Sequence, residues 1–205
     1  NVYPYHKFET FAFEPIQQEY KLVVLENDWL RVKIFPEIGG KIWSIYDKTQ
    51  GKEMFYDNDV VKFREISLRG PWTSGGIEFN YGVIGHAPSC AHPVDYKVET
   101  KEDGSVSCYI GVMELLTRTR WMVEINLPKD AVWVRTRSFW HNYSGDFQPY
   151  YTWANSGVKV TDDMELIYPG TYTIGHDGVT TPYPVDEQGR DLSIYAEQGF
   201  GLDKS

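Results

Sequence analysis

The sequence predicts an all-β chain folded as a large antiparallel sandwich. From Tyr20 onward it falls into short β-rich runs separated by turn signals. No stretch sustains a helical apolar period over several turns. Aromatic residues make up 16% of the chain, with seven Trp and fifteen Tyr, and such side chains fill sheet cores and line sugar clefts alike.

Residues 1–19 read as an N-terminal extension. Tyr20 to Leu25 and Leu30 to Phe35 are strand candidates joined by the turn Glu26-Asn27-Asp28-Trp29. Pro36-Glu37-Ile38-Gly39-Gly40 breaks the ladder, since Pro lacks a donor and paired Gly favours a turn. Lys41 to Asp47 then alternates Ile42, Ser44 and Tyr46 against Trp43 and Ile45, the pattern of a strand covered on both faces. Asp47 to Lys52 supplies a hairpin turn, and Glu53 to Tyr56 returns.

Arg69 to Pro93 is rich in Gly and Pro and reads as a long irregular loop, the usual place for function on a β scaffold. Beyond it, Val94 to Thr100, Ser105 to Thr119 and Arg120 to Leu127 form a predicted meander, with turns at Glu102 to Ser105 and Pro128 to Asp130. Ala131 to Asn142 and Tyr150 to Val160 are further strands, and a less regular tail begins at Asp162. With no repeat, low-complexity tract or linker-like run, residues 1–205 are expected to form a single domain.

Composition narrows the partners. The 20 basic against 29 acidic residues give a net charge of -9 with no extended Lys/Arg run, which argues against nucleic acid. No apolar stretch is long enough to cross a bilayer, so no membrane partner is expected. The start at Asn1 suggests that residues upstream were removed. Localisation stays open, with a secreted or periplasmic place preferred to a cytoplasmic one. Cys90 and Cys108 form at most one disulfide, and two buried thiols are the alternative.

Three constellations could carry chemistry. The first is Gly75-Gly76-Ile77-Glu78-Phe79-Asn80, followed by His86 and His92. If Ile77 and Phe79 point into the core, the two-residue period sends Glu78 and Asn80 together to the opposite face. There they can bond vicinal hydroxyls, and a buried Glu78 can serve as general acid or base. The plain alternatives are a Glu78 that caps loop amides and two satisfied loop histidines. His86, Cys90 and His92 match no standard zinc spacing, so no metal is expected, and no cofactor either.

The second constellation is the strand around Tyr151, Trp153 and Asn155, which alternation places on one face as a stacking surface and an amide. An aromatic core strand explains the same residues. The third is Arg118-Thr119-Arg120-Trp121, where Arg120 either reaches a carboxylate or hydroxyl cluster or lies on a solvated face. The chain has no nucleophile elbow, phosphate loop or dinucleotide fingerprint, which removes serine hydrolysis, nucleotide use and redox cofactors as leading readings.

Several long motifs in order resemble the family called domain of unknown function 5107. They are Leu25 to Val32, Phe35 to Ile42, Tyr46 to Thr49, Gly70 to Asn80, Pro93 to Tyr96 and Trp153-Ala154-Asn155. The resemblance implies a galactose-mutarotase-like antiparallel supersandwich whose concave face binds carbohydrate. In mutarotases a strand His and a late Glu interconvert anomers. The strand similar to the His-bearing one is Tyr151 to Asn155, and no His stands in it.

The resemblance also implies that the family's domain continues past Ser205, so the late acidic residue and further domains of the parent chain are expected outside this sequence. The expected function is therefore sugar handling by Glu78 and His86, with Trp72, Asn80, His92, Arg120, Tyr151, Trp153 and Asn155 as binding residues. The reaction expected is anomer interconversion or glycosidic cleavage, with Asp95 a candidate second carboxylate. Non-catalytic carbohydrate binding or an accessory role is the alternative.

Overall fold

The computed structural model describes residues 14–65, 71–82, 86–175 and 177–197, and of residues 64, 65, 71, 72 and 197 the backbone alone. These residues carry fourteen strands and two short 3-10 turns, and the sheets pair antiparallel. The chain divides into two compact units, residues 1–158 and 159–205.

In the first unit, β1 (Val23–Glu26) and β2 (Leu30–Phe35) form the expected hairpin. Asn27 builds its turn: Oδ1 accepts from the Trp29 and Leu30 amides at 2.9 and 2.7 Å, satisfying donors that a tight turn would otherwise orphan. Asn27 Nδ2 donates to the carbonyls of Pro128 and Ala131, tying this turn to a loop of the other sheet. β3 (Lys41–Asp47) follows, and the register slips at Trp43, because Lys33 faces Ser44 while Ile34 faces Ile42. The turn after it closes on Asp47 Oδ1, which accepts from Thr49 and Gln50 before the short β4 (Lys52–Glu53).

β5 (Phe63–Glu65) pairs with β6 (Pro71–Thr73), and then β7 (Ile77–Tyr81) enters the main sheet between β3 and β12 (Thr152–Ser156). The stretch expected to be a long loop thus contains a central strand. Its Glu78 and Asn80 carry weak β-propensity, and its partners lie far away in the chain, so local patterning hides it. Entry into β7 requires glycine at 76: φ is +61°, and a Cβ there would lie 2.1 Å from the Ile42 carbonyl oxygen.

The second sheet is the predicted meander, β8 (Asp95–Thr100), β9 (Val106–Glu114), β10 (Thr119–Leu127) and β11 (Arg135–Asn142), in the order β11-β10-β9-β8. One core lies between the two sheets. Leu25, Val32, Ile34, Ile42 and Phe79 from the first meet Cys108, Ile110, Trp121, Val123 and Ile125 from the second. Tyr81 stacks on Trp121 with centroids 4.9 Å apart, and its hydroxyl bonds Ser138 Oγ at 2.6 Å. Such a stack is worth about 1 kcal/mol beyond the area it buries. Cys90 and Cys108 are both buried and free, so the thiol alternative holds and the bridge does not form.

Boundaries differ from the expected ones mainly at frayed ends. The first strand starts at Val23, the Glu53 to Tyr56 return is only Lys52–Glu53, the Ala131 strand starts at Arg135, and the Tyr150 strand spans Thr152–Ser156. In the second unit, the tail expected to be irregular holds a hairpin of β13 (Tyr172–Ile174) and β14 (Thr180–Pro182). The Tyr183 hydroxyl donates to the Leu166 carbonyl, and Asp186 organises a turn by accepting from Gln188 and Arg190.

Candidate functional site

β7 has two unlike faces. Phe79 and Tyr81, with Ile77 packed against them, face the core shared by the two sheets, and period two sends Glu78 and Asn80 to the reverse face. That face is not open to water. Glu78 is 4% exposed, Asn80 1% and His86 8%, because the segment from His86 through the 3-10 turn Pro88–Ala91 covers them.

Gly39 permits this cover, since its φ is +63° and a Cβ there would meet the Cys90 carbonyl oxygen at 2.5 Å. The Gly39 amide donates to the His92 carbonyl at 2.8 Å and pins the far end of the segment.

Asn80 ties strand and cover together. Its Nδ2 donates to Glu78 Oε1 at 2.9 Å, while Oδ1 accepts from the Ala87 amide at 2.9 Å and from Cys90 Sγ at 2.9 Å. His86 Nδ1 lies 2.6 Å from the same Glu78 Oε1. Glu78 Oε2 is buried and has no hydrogen-bond partner among the described residues. A carboxylate with one oxygen doubly held and the other unpaired is costly unless a further donor meets it.

The neighbouring strands complete the face. Across the β7–β12 ladder Asn155 stands opposite Glu78 and Trp153 opposite Asn80, so cross-strand pairing puts these side chains on one face. The Trp153 ring meets His86 edge to face with centroids 4.9 Å apart, and Tyr151 lies 6.5 Å from Trp153 and is 45% exposed.

On the other flank, Ile42 pairs with Ile77, which brings Lys41 to the level of Glu78. Lys41 is 1% exposed, and its Nζ donates to the carbonyl and hydroxyl oxygens of Thr73 at 2.8 and 2.9 Å. The Trp43 ring lies 5.5 Å from that nitrogen. Burial drives the Lys41 ammonium down to about 8, against the opposing pull of Glu78 and Cys90. Burial likewise pushes the Cys90 thiol well above its ordinary value, so it sits here as a neutral donor.

Of the expected site residues, the fold brings together Glu78, Asn80, His86, Trp153 and Asn155, with Tyr151 at the open side. Asn80, expected to bind a ligand, spends its hydrogen bonds inside the protein. His92 is half-buried at the end of the covering turn. Arg120 lies apart: it is exposed on β10 of the other sheet, opposite Met113 and His141. The Trp72 side chain lies outside the described residues, though its backbone pairs with Arg64. A surface hollow lined by Glu26, Asp28, Lys129 and Asp130 includes none of these residues. Lys41 and Thr73 were missed in the sequence. The available signal was a lysine inside a strand patterned for burial on both faces.

A domain of antiparallel sheets with a buried Glu-His-Asn cluster on the reverse face of one sheet is the class that fold and site define. The chain belongs to the family described as Domain of unknown function (DUF5107), whose model matches residues 1–205. It is also similar to the crystal structure of a TPR-domain containing protein from Parabacteroides distasonis ATCC 8503, at 26% identity and a TM-score of 0.75. The likeness covers 83% of this chain and 29% of that one, so the chain spans under a third of that protein's length.

Proposed function

We propose that this chain is a carbohydrate-handling domain with a galactose-mutarotase-like supersandwich fold. A sugar ring lies beside Trp153 and Tyr151 and gives a hydroxyl to Glu78. The observation that carries the reading is the Glu78 carboxylate. His86 Nδ1 and Asn80 Nδ2 hold Oε1, while Oε2 is buried and has no hydrogen-bond partner among the described residues, beside a partly exposed aromatic pair. An apolar ring face next to a fixed acceptor is the usual composition of a sugar subsite. With His86 in contact, Glu78 has a proton partner for acid and base chemistry at an anomeric centre.

Binding without turnover is the second reading, favoured by the position of Asp95. Bond cleavage needs two flanking carboxyl groups. Asp95, the other carboxylate considered, is exposed on β8 in the other sheet. Further domains of the parent chain are proposed partners, supported by the longer relative that carries a TPR domain.

The test is a panel of neutral mono- and oligosaccharides, with binding followed by calorimetry, anomerisation by polarimetry and cleavage by reducing-end release. Binding that weakens by roughly tenfold or more in Glu78→Gln supports the site. Turnover lost in that variant selects acid and base chemistry, and binding without turnover selects the second reading. If no sugar binds, the carbohydrate reading is wrong.

A further inference from the structure

Among the described residues, β1 and β12 lie at the edges of the first main sheet, β8 and β11 at those of the second. Their exposed charges differ. Glu26 of β1 is held by Arg31 and Lys48, β12 carries no charged residue, and β8 alternates Asp95, Lys97 and Glu99, so its charges offset one another. β11 carries charge of one sign. Arg135 and Arg137 stand exposed two positions apart on the face turned away from the core, and His141 with Arg120 opposite it follows on the same face. None of the three guanidinium groups makes a hydrogen bond among the described residues. Arg135 lies over the Trp133 ring at 4.9 Å, and Arg137 comes only to 3.9 Å from Glu124, whose carboxylate is taken up by Lys101, Ser107 and Tyr109. β11 is also bare along its edge: β10 pairs with one side, and no backbone hydrogen bond is made on the other among the described residues.

We propose that β11 is a strand-addition site for an acidic partner polypeptide, an extended segment that carries a carboxylate at every second residue. Side chains on one face of a strand recur about every 6.6 Å, so such a segment beside β11 repeats its carboxylates at the spacing of Arg135 and Arg137 and sets one against each guanidinium. Its backbone gives partners to the bare edge, which a small anion does not. The side chains between its carboxylates turn to the inner face, where Thr136 and Ser138 are exposed and Trp140 is half-buried against the core, so they are small and apolar. Charged residues guard an edge against chance pairing, and a second copy of this chain would bring one arginine-bearing strand beside another. An acidic segment is the occupant that these charges admit. The site lies on the sheet that does not hold Glu78, and it stands or falls apart from the sugar reading.

The experiment titrates the nitrogen-15 labelled full chain with a blocked peptide the length of β11, in which glutamate alternates with valine and threonine. Amide signals of Arg135 to Asn142 are expected to shift saturably, and those on the bare edge to exchange more slowly with solvent. Binding is expected to weaken roughly tenfold or more in the double variant Arg135→Glu, Arg137→Glu, and to weaken as salt rises. The same peptide with lysine in place of glutamate is expected not to bind. No binding at millimolar peptide overturns the proposal, as does equal binding of the lysine peptide or shifts centred on β1, β8 or β12. Shifts of the arginine side chains without slower exchange along β11 would mean an anion patch and overturn the strand. A chain that dimerises by itself through β11 would make a second copy the occupant, which also overturns it. If the double variant does not fold, the lysine peptide and the exchange rates decide.

Discussion

His86 Nδ1 lies 2.6 Å from Glu78 Oε1, and this contact crosses from the strand β7 to the segment that covers it. A carboxylate at that distance fixes the imidazole with its proton on Nδ1. The imidazole nitrogen spectrum of His86 should show a protonated Nδ1 in the native protein at neutral pH. In Glu78→Gln that preference should weaken. A neutral ring protonated on Nε2 in the parent would contradict the contact.

Asn80 should matter more for stability than for ligand contact. Its amide serves Glu78, Ala87 and Cys90 at once, and Asn80→Ala strands several buried polar groups together. Losing partners in this way costs about 1–3 kcal/mol per group. Denaturant unfolding should show Asn80→Ala destabilised by roughly 3 kcal/mol. A loss under about 1 kcal/mol would mean that water reaches the cluster and replaces the lost partners.

Lys41 makes stability depend on alkaline pH. Its folded value of about 8 lies below the ordinary 10.5, so the ammonium is disfavoured in the folded state. That cost is present in full below about pH 8 and is relieved as the pH rises toward 10.5, where the unfolded chain alone still holds the proton. Relative to Lys41→Met, the parent should gain roughly 3 kcal/mol across that window. Parallel pH profiles for the two proteins would exclude the buried ammonium.

Neither cysteine should react in the native state. Burial pushes the Cys108 thiol up to about 12 and that of Cys90 well above its ordinary value, and the thiolate is the reactive form. A thiol reagent at pH 8 should label neither until denaturant is added, when both should label. Mass analysis of the oxidised protein should show no bridge between them.

What the sequence revealed, and what it hid, follows from the range of the pairing. β2, β8, β9 and β10 each pair with a neighbour in sequence, so turn residues and alternation mark them within a few positions. β7 pairs with strands far off in both directions, and its polar residues and flanking glycines read as loop. The two faces of β7 were nevertheless legible, because alternation alone separates Ile77 and Phe79 from Glu78 and Asn80.

Alternation could not say which sheet a strand joins. Arg120, which reads as a neighbour of the site, therefore stands on the far sheet, while Asn155 and Trp153 reach Glu78 and Asn80. Lys41 was hidden for another reason. A lysine reads as surface, and only the burial of its whole strand marks it as interior.

The most direct test of the sugar site is the indole resonance of Trp153 during titration with the best-binding neutral sugar. The indole N–H of Trp153, together with the ring protons of His86, should shift saturably with the binding curve, and both shifts should vanish in Glu78→Ala. Saturable binding that moves other tryptophans, such as the exposed Trp133, and leaves Trp153 and His86 unmoved would contradict the site.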